Sequence, residues 1–537
     1  MAGLATAFGS GAMTNTIDDI EKTEVIFVIG SNTTENHPVI GYRIKQAVKK
    51  GAKLIVADPR YIELCDYADV HLQIKPGTNV ALLNAMAHVI IKEGLADEEF
   101  IRERTENYAA LRVTARDYTP EYAAEITGVP AEDIVRAARL YGAAEAAMIF
   151  YTMGITQHTT GTDNVLAVAN LALLTGNVGK PGSGVNPLRG QNNVQGACDM
   201  GALPDVFTGY QPVTDESVRA KFAKAWGVEL SGKVGLTVTD MFTAAGAKKI
   251  RAMYIVGENP YLSDPDSAHV RQCMDTLDFL VVQDIFMTET AQYADVVLPA
   301  VTWAEKEGTF VNTERRVQKV NQALRPRGNA KADWQIFVEL ANKLDFDWNY
   351  TCAEDIFKEI TALTPSYAGI TYDRLGANGI QWPCPGADHP GTPILHVGKF
   401  SKGFGHFSAV EHQDSAELPD ADYPFILTTG RILHHYHTGT MTRRSKPLRF
   451  VQDEEFMQIN PLDAKALGVT ECDIVKVSSR RGSVKTRLKI TDSVPPGVVF
   501  MTFHFKETAA NLLTNPQTCP TAKIPELKAC AVNIEKI

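Results

Sequence analysis

Apolar residues in this chain recur in two rhythms. Val25 to Ile29 is an unbroken apolar run, as expected of a strand buried on both faces of a parallel sheet. A polar loop follows, then Pro38, which suits the first turn of a helix because no amide hydrogen is lost there. Ile40, Ile44, Ala47 and Val48 share one helical face, and Gly51 stands where a carboxyl cap belongs. Leu54 to Ala57 reads as a second strand that delivers Asp58-Pro59-Arg60 to its carboxyl end. The turn Gly77-Thr78-Asn79 then opens a helix carrying Leu83, Met86, Ala87 and Ile90. Further strands are expected at Ala147 to Tyr151, Ala252 to Val256, Phe279 to Val282 and Val296 to Leu298, with a helix over Asn164 to Leu174. Ala387 to Pro419 loses periodicity and turns rich in Pro, Gly, His and Ser, which marks a linker or a long surface excursion. Beyond it, Ile474 to Val477, Val484 to Lys489 and Val498 to Phe503 read as short strands of a small β-domain.

The pattern repeats. Val28-Ile29-Gly30-Ser31-Asn32 returns as Ile255-Val256-Gly257-Glu258-Asn259, Asp58 as Asp284, Tyr67-Ala68-Asp69-Val70 as Tyr293-Ala294-Asp295-Val296, and Gly77-Thr78 as Gly308-Thr309. Each copy spells strand, glycine loop, helix and a strand ending in an acid, the layout by which α/β folds hold a nucleotide outside the carboxyl ends of parallel strands. The expected fold is therefore α/β. Two related Rossmann-like α/β domains, residues 1–190 and 191–410, precede a C-terminal β-barrel-like domain over 411–537, and two halves imply two nucleotide-like ligands. Neither glycine loop has the G-x-G-x-x-G spacing of ordinary NAD sites. Asp58 and Asp284 either cap strand ends or hold ribose hydroxyls.

Composition narrows the function classes. A length of 537 residues, 45% hydrophobic and 22% charged, is ordinary for a soluble multidomain chain. The net charge of -10 and the lack of an unmatched basic face argue against nucleic acid as a partner. No apolar run is long enough for a membrane span and the start carries no export signal, so the expected location is cytoplasmic. The eight cysteines are scattered without a C-x-x-C pair, so neither a zinc site nor an iron–sulfur cluster has ligands at usable spacing, and no metal ligand is assigned.

Between the two repeats, Asn186 to Gly201 has neither helical nor strand periodicity and is crowded with amides, glycines and one arginine, Arg189. Amides present donors and acceptors on a plane and glycines admit a close ligand, so the segment suits a flat polar heterocycle. It equally suits a packed loop whose amides satisfy one another. The arginine offers a bidentate fork for a carboxylate.

The run Val185 to Pro204 resembles the signature of the formate dehydrogenase branch of the molybdopterin oxidoreductases. The similarity extends over essentially the whole chain, including Gln283 to Thr288, Ala294 to Pro299 and Gly430 to Thr440. The resemblance implies a bis-molybdopterin guanine dinucleotide cofactor carrying molybdenum or tungsten, reversible oxidation of formate to CO2, and iron–sulfur or flavin subunits as electron-transfer partners. Carried over by position, Arg189 resembles the arginine that holds the formate carboxylate, and Gln191 the neighbouring amide near the pterin. Gly30, Asn32, Asp58, Arg60, Gly77 and Asn79 match one guanine dinucleotide, and Gly154, Gln157 and Gly190 match loops beside the pterin. Gly257, Asn259, Asp284 and Thr288 match the second dinucleotide. Gly430, Arg431, His434, His437, Thr438 and Asn511 match a lid over the cofactors, in which the histidines donate hydrogen bonds and do not ligate zinc. Asn79 stands where many relatives carry Asp, which changes the charge offered to guanine there.

Relatives also carry a four-cysteine 4Fe-4S motif and a cysteine or selenocysteine metal ligand followed by His, neither of which is present. The expectation is that the metal ligand is a selenocysteine whose UGA codon was read as a stop, so that this reading frame starts just beyond it and the chain alone is inactive. Two rivals remain: an enzyme of the same family acting on nitrate or a similar oxyanion, and a non-catalytic cofactor-binding module working with a separate iron–sulfur subunit.

Overall fold

The computed structural model describes residues 1–537. They form two compact units, one of residues 1–190, 262–268 and 394–537, the other of residues 191–261 and 269–393.

In the first unit, strands β1 (Val25–Ile29), β2 (Lys53–Ala57), β3 (Val70–Leu72), β4 (Ala147–Tyr151) and β5 (Gly184–Pro187) pair in parallel in the order β3-β2-β1-β4-β5. Successive strand side chains point to opposite faces. Phe27, Ile29, Ile55 and Ile149 enter one core with helices α2 (Asn79–Lys92) and α3 (Gly161–Leu174), while Ile26, Val28, Leu54, Val56 and Phe150 enter a second with α1 (Pro38–Lys49). Double coverage explains why the strands read as continuous apolar runs rather than alternating ones. On α1, Ile40, Ile44 and Ala47 are buried and Val39 and Tyr42 are exposed, the one-sided helix that the spacing predicts.

Residues 387–419 are irregular and largely exposed, as expected, but a few apolar side chains anchor the segment. Leu395, Phe400, Phe407 and Val410 are buried, and three side-chain amides take up the segment's carbonyls: Asn84 to Val410 (2.8 Å), Asn107 to Phe407 (2.8 Å) and Asn170 to Ser408 (2.8 Å). Backbone without a ladder can be buried when side chains satisfy it, and composition alone does not show which asparagines will do so.

In the second unit, β6 (Ala252–Val256), β7 (Phe279–Asp284) and β8 (Val296–Pro299) pair in parallel in the order β8-β7-β6, the same arrangement as β3-β2-β1. The repeat extends to individual hydrogen bonds. Asp69 donates its amide to Leu54 O (2.8 Å) and accepts Leu54 N through Oδ2 (3.0 Å); Asp295 does the same with Leu280 (2.9 and 2.7 Å). Gly30 and Gly257 both turn left-handed, with φ of 58° and 62°, and donate to Ala57 O (2.9 Å) and Gln283 O (2.8 Å). The pair Gly77-Thr78 and Gly308-Thr309 breaks the symmetry. Thr78 precedes α2, whereas Gly308 starts β9 (Gly308–Val311), which pairs antiparallel with β10 (Arg316–Val320) beside β11 (Ile380–Gln381). Helix-forming Val-Ala-Leu-Leu-Asn follows the first glycine; Phe310 and Val311 and a tight turn follow the second.

The polar segment also departs from its aperiodic reading. Its start belongs to β5, and Val194–Asp199 forms a short helix α4. Gln195 Nε2 reaches Asp199 one turn on (2.8 Å), and the buried Asp199 carboxylate also accepts from Tyr210 (2.8 Å), Tyr367 (2.5 Å) and Trp382 (2.7 Å). Asn193 Oδ1 accepts from Val311 N (2.8 Å). Several of the amides beyond Gln191 thus serve the protein itself.

The first unit closes with a six-stranded barrel of β12 (Phe425–Gly430), β13 (Phe456–Ile459), β14 (Ile474–Ser478), β15 (Ser483–Ile490), β16 (Val498–Thr502) and β17 (Cys530–Lys536), in the order β12-β16-β13-β15-β14-β17. Leu427, Met457, Val475, Val477, Leu488, Val499, Met501 and Val532 fill it. The architecture is the α/β class expected, with two related Rossmann-like sheets and a C-terminal barrel. No helix is long and apolar enough to cross a membrane.

At the barrel's edge, burial pushes the Glu455 carboxyl up to about 8, against hydrogen bonds from Thr502 N (2.9 Å) and Oγ1. A raised folded value means stability is full below the ordinary glutamate range and falls as pH rises through about 8. Glu455→Gln should therefore leave the chain more stable than the parent at pH 8, by a few kcal/mol at about 1.4 per pKa unit, and nearly equal at pH 4.5. Melting curves at the two pH values check this; a gain independent of pH would show that the carboxylate is not the cause.

Candidate functional site

The order β3-β2-β1-β4-β5 reverses between β1 and β4, and it is there, beyond the carboxyl ends, that an open parallel sheet leaves room for a ligand. The loops after the two strands meet back to back. Gly154 N donates to Gly30 O (3.1 Å) and Thr152 Oγ1 to the same carbonyl (2.8 Å). A Cβ on Gly30 would lie 2.7 Å from Gly154 C, and one on Gly154 would lie 2.6 Å from Gly30 Cα, so neither position admits a side chain.

Above this contact lies a cleft. Gly30 and Asn32 come from the loop after β1, Asp58 and Arg60 from the end of β2, and Gly77 and Asn79 from the turn into α2. Gly154, Gln157 and His158 follow β4, Gly190 follows β5, and Gly430, Arg431, Phe500, Phe503 and Lys528 come from the barrel. All belong to the first unit. Gly430 has no room for a Cβ because Phe500 would lie 2.5 Å away.

Charge in the cleft is unbalanced. Three cations, Arg60, Arg431 and Lys528, face one lining carboxylate, Asp58, with Glu35 close behind it. Arg60 stacks on the Phe500 ring at 3.7 Å, and Lys528 Nζ donates to Thr429 O (2.5 Å). Burial, then repulsion by Arg431 and Arg60, brings the Lys528 ammonium down to about 7. Burial also lifts Asp58, against the pull of Arg60. Such a cluster is stabilised by an added anion, and a pyrophosphate carries the complementary charge.

Two imidazoles add acceptors. Burial lowers His158 to about 4, and its Nε2 faces Gly154 O (3.0 Å), so that nitrogen carries the proton and Nδ1 keeps a lone pair. His37 is held neutral by burial in the same way, with Nε2 on Arg189 O (2.7 Å). Both Nδ1 atoms are buried without a partner. A ligand bearing hydroxyl or N–H donors, as a guanine nucleotide does, would satisfy them. The residues present thus fit a dinucleotide.

The other sequence-predicted residues lie elsewhere. Half-buried Arg189 follows β5 and donates Nη2 to Gly11 O (3.2 Å). Gln191 begins the second unit. Also in that unit, Asn259 Oδ1 accepts from Thr290 N (3.1 Å) and Oγ1 (2.7 Å), Asp284 Oδ1 from Ile285 N (2.6 Å), and Thr288 Oγ1 from Ala291 N (3.1 Å), around the left-handed Gly257. Asp58 caps its loop as Asp284 does, with Oδ1 on Arg60 N (3.0 Å). Of the expected lid, Gly430 and Arg431 line the cleft; His434, His437, Thr438 and Asn511 do not. His437 offers its carbonyl to His504 Nδ1 (2.5 Å), and Asn511 Nδ2 donates to Leu262 O (2.8 Å) and Ser263 O (2.9 Å). Sequence reasoning missed His37, His158 and Lys528. The first two sit beside Pro38 and Gln157 and could have been found by extending those motifs; Lys528 lies in no motif at all.

Comparison with known proteins agrees with this geometry. A family model described as molybdopterin oxidoreductase matches residues 3–343, and one described as molydopterin dinucleotide binding domain matches residues 425–531. The F420-dependent formate dehydrogenase 1 subunit alpha of Methanococcus maripaludis is 55% identical over 541 residues, covering 100% of this chain and 80% of that protein. The F420-dependent formate dehydrogenase subunit alpha of Methanocaldococcus jannaschii is 56% identical with the same coverage. Formate dehydrogenase H of Escherichia coli is 43% identical, covering 100% of this chain and 76% of its own length. Acetylene hydratase from Pelobacter acetylenicus superposes with a TM-score of 0.76 at 20% identity, over 100% of this chain and 80% of that one, a likeness of fold.

The lowered Lys528 value has a measurable sign. The penalty for charging the buried amine is present below about 7 and fades as pH rises from there toward the ordinary lysine value of 10.5. Lys528→Met should therefore raise the melting temperature of the cofactor-free chain more at pH 6 than at pH 10, and should weaken binding of inorganic pyrophosphate roughly tenfold or more, the worth of one charge-assisted hydrogen bond. Scanning calorimetry and titration calorimetry read the two effects, and pyrophosphate affinity equal to the parent's would remove Lys528 from the site.

Proposed function

We propose, for a chain that belongs to the molybdopterin oxidoreductase family, that it is the alpha subunit of a formate dehydrogenase oxidising formate reversibly to CO2. The observation that carries this reading is identity of 50–56% across the entire chain with three proteins named as F420-dependent formate dehydrogenase alpha subunits. The cleft of the first unit takes one guanine dinucleotide of a bis-molybdopterin cofactor, and the matching loops Gly257 to Asn259 and Asp284 to Thr288 take the other. The cofactor, with molybdenum or tungsten, supplies the two-electron acceptor when bound.

This chain's own residues then have distinct tasks. Arg60, Arg431 and Lys528 offset phosphate charge. His37 and His158 accept from donors on the ligand. Arg189 orients formate: its backbone is pinned by His37, and its planar fork matches a carboxylate where a lysine offers only a point charge. Gln191 supplies an amide beside the pterin. The 4Fe-4S cluster takes its ligands from residues other than the eight dispersed cysteines of this chain. Electrons leave through iron–sulfur or flavin subunits in the cytoplasm, and the names of the relatives make F420 the first acceptor to assay.

Formate-dependent reduction of a viologen dye by the complete enzyme is the direct test, and turnover with nitrate in place of formate would sink the reading. Within that assay, Arg189→Lys should raise KM for formate about tenfold or more while kcat changes less. A KM equal to the parent's would mean that Arg189 does not touch the substrate.

A further inference from the structure

Glu526 is 0% exposed, and four neutral donors converge on its carboxylate. Oε1 accepts from Thr159 N (3.2 Å) and Thr159 Oγ1 (3.0 Å); Oε2 accepts from Ala416 N (3.1 Å) and Asn515 Nδ2 (3.3 Å). The donors come from three segments far apart in sequence: the loop after β4, the irregular segment 387–419, and the stretch leading into β17. Two of these carry walls of the cleft. Thr159 follows Gln157 and His158, and Glu526 stands two residues before Lys528. A second tie joins the same stretches, with Thr162 Oγ1 and Cys519 Sγ 3.0 Å apart. From Glu526 the chain runs on through Leu527, whose carbonyl accepts Thr429 Oγ1 (2.6 Å), to Lys528 on Thr429 O (2.5 Å), so the carboxylate is continuous with the barrel wall.

We propose that Glu526 is a positioning residue for the cleft: its carboxylate ties the α/β wall to the barrel wall, so that Gln157, His158 and Lys528 face one ligand at a fixed separation. The proposal rests on reading the cleft as a dinucleotide site. A carboxylate is suited to the place because it accepts at both oxygens. A glutamine there would turn N–H groups toward the donors of Ala416 and Asn515 or of Thr159, leaving two of the four donors around the buried side chain without an acceptor. Burying the charge is tolerable because four dipoles point at it.

Hydrogen–deuterium exchange on the full chain tests the tie, with retained guanine dinucleotide per chain as a second readout. In Glu526→Gln the amides of residues 156–160 should exchange at least tenfold faster, and the purified enzyme should retain less guanine dinucleotide. Glu455→Gln, which replaces a different buried carboxyl group of the barrel, should change neither. Thr159→Val should give a smaller acceleration over the same residues, and combining it with Glu526→Gln should add little, as for groups in one contact. Parent-like protection of 156–160 in Glu526→Gln overturns the proposal, as does acceleration spread evenly through the barrel. If Glu526→Gln does not fold, Thr159→Val decides alone by the same criterion. A parent enzyme carrying no guanine dinucleotide would remove the cofactor reading, while the exchange pattern would still decide whether Glu526 is the tie.

Discussion

The contact of two glycine backbones at the ends of β1 and β4 is the constraint from which the rest of the site follows. Gly154 N reaches Gly30 O at 3.1 Å, and neither residue has space for a Cβ. Only with both loops held this close does the reversal of strand order become a shaped cleft. Asp58 and Arg60 on one side, Gln157 and His158 on the other, are then carried to its rim by strands that are themselves buried on both faces. Rigidity of the sheet is what makes loop residues usable as a binding surface.

The second determinant is electrostatic. Three cations gather around one lining carboxylate in a chain whose overall charge is -10, so the cleft opposes the field of the rest of the molecule. Lys528, brought to about 7 by burial and by its cationic neighbours, shows how much that concentration costs the unliganded protein. Such a site is strained without an anion and relieved with one. Preorganised binding sites commonly carry the cost of assembly in the fold, leaving less to be lost on association.

Duplication gave the two units a common beginning and different ends. The sheets share strand order, the left-handed glycine, and the aspartate that clamps the neighbouring strand through both its amide and its carboxylate. Beyond the third strand the copies diverge, into the helix of Asn79–Lys92 in one and an antiparallel hairpin after Gly308 in the other. Arg189 and Gln191 lie where the first copy hands over to the second, and Asp199 with its tyrosine, tryptophan and glutamine donors fixes the helix that follows.

Much of this was legible in the chain. Local periodicity revealed β1, β2, β4 and α1, because a side chain's burial in a parallel sheet or on one helix face is written in its immediate neighbours, and apolar runs also marked β6 and β7. Internal repetition revealed the twin sheets, with the left-handed glycines and the aspartates at their strand ends. Local pattern could not show that the irregular segment 387–419 is anchored through buried Leu395, Phe400, Phe407 and Val410, since that depends on Asn84, Asn107 and Asn170, each more than 200 residues away in the chain. Nor could it single out Lys528 and Glu526. A glutamate and a lysine two residues apart in the irregular stretch ahead of β17 acquire their roles only when the barrel is laid against the loop after β4, where distance in space, and with it Coulomb energy and hydrogen bonding, ceases to follow distance along the chain.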